Sequence, residues 1–419
     1  MDHISLDDQA RAILRGNDRG GYTVPTAGLY PYQWNWDSAF AAWGFAEFDT
    51  ARAWAELETL MAGQWDSGMV PHILFHKPDP DYFPGPDTWG AKGCGPVASS
   101  GISQPPVAAT FARKVYETDP ENGKARIAGL FPALVRWHRW FMQWRSHEGM
   151  IFVTHPWETG RDNAPDWDGP MAAIDPTGVP PYTRRDTGHV DPAMRPTKED
   201  YDRYLWLVAR GERLNWDDAA MAQDMPFKVA DPTMTFILLR ANRDLAAMAD
   251  ILGEARDEID GWIATLEAGS EALRNPTTGA YDAIDLRTGQ HAGNVSSAAF
   301  LCWFAGIDCP VMDQELIEAF AQTTFPVPSQ KASSPEFNPK RYWRGPSWAM
   351  MNALIAMGLE ERGKEGDAEE LRTRTATLIG EHGFAEYFHP MTGAPEGGGT
   401  FTWTAAVWLA WASPSAGRP

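Results

Sequence analysis

The sequence is poor in cysteine and in positive charge, and it has no long hydrophobic run. Its 419 residues include 3 cysteines without a CxxC pair, which suits a reducing cytoplasm better than a disulfide scaffold. Lys and Arg number 36 against 56 Asp and Glu, giving a net charge of −20, and they are scattered. No window approaches the roughly 18 consecutive apolar residues of a membrane-spanning helix. We therefore expect a cytoplasmic protein that binds neither nucleic acid nor membranes.

Recognition motifs for common cofactors are also missing. The sequence has no P-loop, no GxGxxG and no GxSxG segment, so we expect neither a nucleotide cofactor nor serine nucleophile chemistry. The first residues lack the basic stretch and apolar run with which secretion signals begin. The candidate chemistry must therefore come from other residue types.

Tryptophan is unusually abundant. There are 20 Trp, more than the 19 Phe or the 11 Tyr. They cluster with Asp, Gln, Glu and Arg in loop-like segments, namely 30–37, 157–158 and 342–344. Indole faces can stack on the C–H faces of sugar rings while neighbouring polar groups bind hydroxyls. A carbohydrate site is therefore favoured over tryptophans that serve only the core.

Helical periodicity dominates the chain. About twelve helices joined by loops rich in Gly, Pro and Trp predict six helical hairpins closed into a ring. A solenoid of helix pairs would look similar, but it should show a repeat of fixed length, and none is present. The predicted helices cover residues 5–16, 36–48, 50–63, 102–118, 123–146, 198–212, 231–251, 254–273, 313–323, 345–360, 366–380 and 402–412.

Two connecting loops are unusually long, over residues 64–101 and 154–197. Loops of this length in a compact fold usually serve as lids or binding loops, and we expect both to do so. No linker rich in Pro or Ser divides the chain. We therefore expect residues 1–419 to form a single domain.

Residues 155–163 are the first candidate for chemistry. They carry Glu158 and Asp162, two carboxylates four residues apart, beside Trp157 and a glycine. An apolar ring destabilises the ionised form of a neighbouring carboxyl and raises its pKa, which suits a general acid. An ordinary polar turn would have the same composition, and the residues alone do not separate the two interpretations.

Residues 385–393 are the second candidate. Glu386 stands alone among aromatic residues, ahead of three consecutive glycines at 397–399. A buried acid must be paired or functional. An ion pair with a neighbour such as Arg344 is the alternative.

Further polar residues have simpler interpretations. Asp37 could cap a helix starting near residue 38, and Gln104 could cap the next helix or bind a sugar hydroxyl. His72 and His76 are four residues apart, but prolines flank them and no third ligand is evident. We therefore predict no metal site.

Five segments in order resemble the motifs of a known clan, and the resemblance covers the chain from about residue 30 to residue 408. Four of them resemble motifs of trehalases and their clan relatives. The remaining one, residues 342–348, resembles a motif of glycoside hydrolase family 63. Within that family, the compact mannosylglycerate and glucosylglycerate hydrolases of bacteria are the most similar. The segments are Trp36-Asp37-Ser38-Ala39-Phe40, Ser103-Gln104-Pro105-Pro106, Glu158-Thr159-Gly160-Arg161-Asp162, Tyr342-Trp343-Arg344-Gly345-Pro346-Ser347-Trp348 and Phe401-Thr402-Trp403-Thr404.

The resemblance implies an all-α fold, the (α/α)6 barrel, and hydrolysis with inversion at the anomeric carbon. It assigns the general acid to Asp162 and the general base to Glu386. The same resemblance implies a sugar subsite formed by Trp34, Trp36, Asp37, Gln104, Trp157 and Gly160. Trp343 and Trp348, from the segment 342–348, are two further candidates for substrate binding.

The resemblance also implies a subsite for glycerate. Arg195 and Tyr201 fit the family's glycerate-binding loop, and Tyr30 and Tyr342 would complete the subsite. A guanidinium suits an anionic leaving group because it binds a carboxylate through two parallel hydrogen bonds. Arg184 and Arg185 are rivals for that role.

The function expected is hydrolysis of a small α-glycoside, 2-O-α-glucosyl- or mannosyl-D-glycerate. An α-glucosidase or trehalase acting on neutral oligosaccharides is the first alternative, although residues 161–163 depart from the trehalase pattern. A non-catalytic sugar-binding protein and an isomerase using His155 and His389 are less favoured. The sequence leaves open glucose against mannose and whether the chain forms a homo-oligomer.

Overall fold

The computed structural model describes residues 5–184, 186–188 and 191–416. Short 3-10 turns lie at Pro156–Thr159, Pro165–Trp167, Asp186–Gly188, Pro192–Met194 and Glu271–Leu273, and a π-helical turn at Trp408–Ala412. The α-helices are α1 (Leu6–Asn17), α2 (Asn35–Ala46), α3 (Thr50–Ala62), α4 (Pro86–Trp89), α5 (Ala108–Thr118), α6 (Pro120–Trp144), α7 (Asp168–Ala172), α8 (Lys198–Arg213), α9 (Asp218–Asp224), α10 (Pro232–Leu252), α11 (Asp257–Ser270), α12 (Leu301–Phe304), α13 (Pro310–Gln322), α14 (Ala349–Glu361), α15 (Glu365–His382) and α16 (Thr402–Val407).

Six helices close an inner ring, and the predicted (α/α)6 barrel is confirmed. Around the ring, α2 packs against α5, α5 against α10, α10 against α12, α12 against α14, α14 against α16, and α16 against α2. The helices α1, α3, α6, α11, α13 and α15 alternate with them along the chain. Every residue of α2 is buried, as expected for a helix enclosed on all sides.

All twelve predicted helices are found, but one of them lies outside the ring and an unpredicted helix takes its place. The predicted helix 198–212 is α8, which packs against α4 of the first long loop rather than joining the ring. Its place in the ring belongs to α12, which has four residues and was not predicted. The predicted helix at residue 102 starts instead at Ala108, after two prolines.

Short strands add detail that the sequence did not predict. A five-stranded antiparallel sheet runs in the order β3-β4-β5-β6-β7, and two separate pairs join β1 to β2 and β8 to β9. The strands are β1 (Gln33–Trp34), β2 (Ile73–Leu74), β3 (Ser146–His147), β4 (Met150–Val153), β5 (Val229–Ala230), β6 (Ile284–Asp285), β7 (Gln290–His291), β8 (Tyr387–Phe388) and β9 (Pro395–Glu396).

One continuous cluster of buried side chains extends from Ala10 to Ala412. Such a cluster is what the predicted single domain should contain, and the domain assignment itself stays a prediction. Over the described part of the chain, no helix combines the length and apolar character needed to cross a bilayer.

Candidate active site

A cavity of about 500 Å³ lies where the ring helices α2, α5 and α16 begin. Both predicted lid loops contribute to its wall, the first through residues 72–89 and the second through residues 157–196. A volume of this size suits a small ligand. Twelve of the fourteen predicted site residues line the cavity: Tyr30, Trp34, Trp36, Asp37, Gln104, Trp157, Gly160, Asp162, Arg195, Tyr201, Tyr342 and Glu386.

The main chain around Asp162 is fixed by close packing. The preceding 3-10 turn ends at Gly160, which has φ of 69°, and a Cβ there would meet the ring of Trp36. On the other side, the hydroxyl of Tyr204 donates to the carbonyl oxygen of Asp162 over 2.7 Å. A glycine before the carboxylate is therefore a geometric requirement of this site.

Arg161 ties the same segment to the ring. Its buried guanidinium donates to Asp166 over 3.0 Å and to Asp231 over 2.8 Å. Asp231 is the N-cap residue of α10 and also accepts the N–H of Met234. Because these acceptors satisfy the buried charge, the start of the second long loop is held against a ring helix.

Glu158, the other carboxylate of this motif, does not line the cavity. It is buried opposite Arg145 at 3.5 Å, and the N–H of Thr154 donates to it over 2.7 Å. Burial raises its pKa despite the nearby guanidinium. The polar-turn interpretation therefore describes Glu158, whereas Asp162 faces the cavity.

Three donors converge on the carboxylate of Glu386. The hydroxyls of Tyr30 and Tyr342 donate to Oε1 over 3.2 and 3.0 Å, and the N–H of Gly398 donates to Oε2 over 3.4 Å. Hydrogen bonds to a carboxylate favour its ionised form. They also fix the direction in which the carboxylate faces the cavity.

The ring also holds the backbone of Glu386, since Nε1 of Trp403 donates to its carbonyl oxygen over 3.0 Å. A Cβ at Gly397 would meet the carboxylate. The alternative ion pair with Arg344 is wrong, because Arg344 binds Asp168 instead, at 2.6 Å. Glu386 is thus a buried acid whose described hydrogen bonds come from neutral groups.

The two carboxyls influence each other's ionisation. Burial raises the pKa of Asp162 to about 7, with Arg195 lowering it and Glu386 raising it. Burial also raises the pKa of Glu386, while Arg195 and the two tyrosine hydroxyls oppose the rise. Asp162 can therefore keep its proton near neutral pH, while the three donors favour the carboxylate form of Glu386. Acid–base catalysis needs such a combination.

Neither Asp37 nor Gln104 caps the helix that the sequence predicted for it. The helix begins at Asn35 with Trp34 as its N-cap residue, so the predicted capping by Asp37 is wrong. Within the described chain, Oδ1 of Asp37 has no hydrogen-bond partner, and burial raises the pKa of this carboxyl well above its usual value. Gln104 caps α2 rather than the helix that follows it, because its Oε1 accepts the N–H of Trp36 over 3.3 Å.

Indole rings form much of the cavity wall, but two predicted ones lie behind it. Trp343 and Trp348 stack on each other with ring centres 3.8 Å apart, and each is 1% exposed. The ring of Trp343 is 6.2 Å from that of Trp36. Neither belongs to the cavity wall, so the structure gives no support to the prediction that these two residues contact substrate. The lining indoles are Trp34, Trp36, Trp89, Trp157 and Trp403.

Arg195 brings a positive charge to the cavity wall. Its guanidinium lies 4.2 Å from the ring centre of Tyr342, and its Nε donates to Asp186 over 3.2 Å. Its Nη1 is buried and has no partner among the residues described. The rival Arg184 binds the same Asp186 over 3.0 and 2.6 Å and does not line the cavity. The other rival, Arg185, lies outside the described residues.

The two histidines considered for an isomerase do not line the cavity. His155 accepts the N–H of Trp157 over 3.0 Å, and His389 accepts the N–H of Met391 over 3.2 Å, so both support turns. Among the described side chains, no group of three or more His, Cys, Asp and Glu could hold a metal ion.

Several lining residues were missed. Phe401 and Trp403 stood in a recognised motif without a role, and the aromatic residues of the loop 64–101 were a usable signal. Nothing in the local sequence marks Asp186 or His72, whose positions depend on loop geometry. The missed lining residues include His72, Tyr82, Phe83, Trp89, Asp186, Phe401 and Trp403.

Comparison with known proteins identifies close relatives. A family model described as the mannosylglycerate hydrolase MGH1-like glycoside hydrolase domain matches residues 30–404. The chain is 44% identical to the mannosylglycerate hydrolase of Thermus thermophilus, covering 96% of this chain and 99% of that one. It is 34% identical to the glucosylglycerate hydrolase of Mycolicibacterium hassiacum, covering 97% of each.

A solved structure matches over nearly its full length. It is a family 63 mannosylglycerate hydrolase, also from Thermus thermophilus, in complex with Tris and D-glycerate. The TM-score is 0.93 at 44% identity, and the alignment covers 96% of this chain and 98% of that one.

Proposed function

This chain belongs to the mannosylglycerate hydrolase MGH1-like family of glycoside hydrolases, and on that premise we propose that it hydrolyses 2-O-α-mannosyl- or 2-O-α-glucosyl-D-glycerate. One observation carries the proposal. The cavity wall combines two carboxyls, Asp162 and Glu386, with the guanidinium of Arg195. Glycoside hydrolysis needs the carboxyl pair, and an anionic leaving group needs the cation.

Asp162 acts as the general acid in this proposal. It transfers its proton to the glycosidic oxygen as the bond from that oxygen to C1 breaks. The raised pKa of about 7 supports the role, because the carboxyl then keeps its proton near neutral pH. The fixed backbone on both sides of Asp162 supports it further, since proton transfer requires a positioned donor.

Glu386 acts as the general base. It takes a proton from a water molecule whose oxygen attacks C1 from the face opposite the leaving group. The configuration at C1 is therefore inverted, and inverting enzymes keep their carboxyls roughly 6.5–9.5 Å apart to admit that water. Each turnover leaves Asp162 deprotonated and Glu386 protonated, and exchange with solvent restores both.

Arg195 binds the carboxylate of the glycerate. Its unpartnered Nη1 supports this role, because a buried guanidinium nitrogen without an acceptor is costly until a ligand supplies one. Tyr30, Tyr342 and Tyr201 would surround the same leaving group. The D-glycerate bound to the Thermus thermophilus relative adds support from outside this chain.

The sugar occupies the part of the cavity that the indoles enclose. Its faces would stack on Trp34, Trp36 and Trp157, while Asp37 and Gln104 offer acceptors to hydroxyls. One relative is named for mannosylglycerate and another for glucosylglycerate, so both sugars belong in the test.

The three cysteines are free, which supports a second proposal, that the protein works in a reducing, cytoplasmic setting.

A substrate panel with two variants tests the function. Mannosyl- and glucosylglycerate should be hydrolysed far faster than trehalose or neutral α-glucobioses, and NMR should detect the β-anomer of the released sugar first. Asp162→Asn and Glu386→Gln should each lower kcat by several orders of magnitude without unfolding the chain. Preference for a neutral disaccharide would overturn the substrate assignment, and near-normal turnover in either variant would remove that residue from the mechanism.

A further inference from the structure

His72 is a buried side chain of the cavity wall that the proposed mechanism does not use. It stands immediately before β2, and its ring lies nearly parallel to that of Trp157, with centres 6.4 Å apart. Its Nδ1 is 2.9 Å from Oγ of Ser100. Its Nε2 has no hydrogen-bond partner among the described residues, so it is the nitrogen that a ligand could reach.

The hydrogen bonds of Ser100 decide which nitrogen of His72 carries the proton. Ser100 is fully buried, and its Oγ accepts the N–H of Ile73 over 3.1 Å. Within the described chain, the one acceptor in reach of its own hydroxyl hydrogen is Nδ1 of His72. If Nδ1 were protonated, two donors would face Oγ and the hydroxyl hydrogen would stay unsatisfied in a buried place, which is costly.

We propose that Ser100 holds His72 in the tautomer protonated at Nε2, and that this N–H donates a hydrogen bond to a hydroxyl oxygen of the bound sugar. The sugar contact rests on the proposed function, whereas the tautomer follows from the protein's own hydrogen bonds. His72 is thus a binding residue of the sugar subsite, and Ser100, which acts through it, is a positioning residue.

The environment of His72 keeps this donor uncharged. Burial lowers the pKa of His72 well below its usual value, and the neighbouring His155 lowers it further. A neutral imidazole has one N–H, so fixing the tautomer fixes the direction of donation. The hydroxyl that accepts this bond keeps its own hydrogen for a second acceptor, such as the unpartnered Oδ1 of Asp37.

NMR on the full chain labelled with ¹⁵N-histidine tests the tautomer directly. Ten histidines are present, and the signals of His72 are those that disappear in His72→Gln. We expect the two ring-nitrogen shifts to report protonation at Nε2 throughout pH 6–8. Protonation at Nδ1, or a charged ring, would overturn the proposal. In Ser100→Ala the signals should shift toward a mixture of tautomers, and if that variant does not fold the wild-type spectrum still decides.

The sugar contact has its own test. Adding D-mannose or D-glucose to the labelled chain should move the Nε2 and Nε2–H signals of His72 but not those of His76, whose Nε2 is 2.7 Å from Gln33. An unchanged Nε2–H signal at saturating sugar would overturn the contact. This readout does not need turnover, so it stays decisive if glycerate glycosides are not substrates.

Kinetics with deoxy sugars then identify the hydroxyl. His72→Phe keeps an aromatic ring and should lower kcat/KM about tenfold for the full substrate, the effect of one lost hydrogen bond. For the glycoside lacking the contacted hydroxyl, the same variant should cause no loss. Equal losses for every monodeoxy glycoside would mean that His72 acts only through packing.

Discussion

Replacing Asp162 by asparagine should stabilise the folded chain at alkaline pH while abolishing catalysis. In the fold, the pKa of Asp162 rises from 3.8 to about 7, chiefly through burial. Between these values the unfolded chain releases the proton and the folded chain keeps it, so ionisation lowers stability as pH rises above about 4. A shift of about 3 units corresponds to about 4 kcal/mol above pH 7. Asp162 is only partly buried, so solvent screens its carboxylate and we expect about 2–4 kcal/mol.

Urea unfolding of both proteins at several pH values measures this effect. The stability advantage of Asp162→Asn should grow by about 2 kcal/mol between pH 5 and pH 8.5. Glu254→Gln removes an exposed carboxylate on the same chain, and its curve should run parallel to that of the wild type. An Asp162→Asn advantage that does not change with pH would refute the idea that the fold holds this carboxyl protonated.

Three other predictions concern activity. Because the proposed acid must be protonated, kcat/KM should fall about tenfold per pH unit above about pH 7, and a flat profile to pH 9 would count against Asp162. Gly397→Ala should lower kcat at least tenfold and also lower Tm, because its Cβ would meet the carboxylate of Glu386 and its φ of 70° disfavours alanine. Arg195→Ala should raise KM for a glycerate glycoside at least tenfold and spare a neutral glycoside, and equal effects on both would make Arg195 structural.

The barrel was predictable because long helices leave a periodic pattern. Helices such as α6 and α10 exceed 20 residues and begin with a capping aspartate and a proline. The ring helix α12 could not be found in this way, because four residues carry no period. The amphipathic sequence of α8 predicts a ring helix in its place, because such a pattern does not show which surface the helix covers.

The candidate site was predictable to the extent that short motifs fix local geometry. The choice of Asp162 over Glu158 came from the resemblance to known families. Composition could not supply it, because the buried partner of Glu158, Arg145, lies 13 residues earlier in sequence. The second layer formed by Trp343 and Trp348 was indistinguishable in sequence from the wall itself.

His72 shows a different limit of sequence reasoning. The sequence indicates it only as a possible metal ligand, together with His76, because the spacing of four residues is the visible feature. Its partner Ser100 lies 28 residues away in sequence and belongs to none of the recognised motifs. The hydrogen bond between these two side chains becomes visible only in the folded structure.

The start of ring helix α2 at the cavity has an electrostatic consequence. The peptide dipoles of a helix sum to roughly half a positive charge at its N-terminus. The first turn of α2 directs that potential at the carboxyl of Asp37 and the space beside it. The backbone therefore contributes positive potential that a count of charged side chains omits. A cavity rich in carboxylates, within a chain of net charge −20, is less repulsive to an anionic ligand than its residues alone suggest.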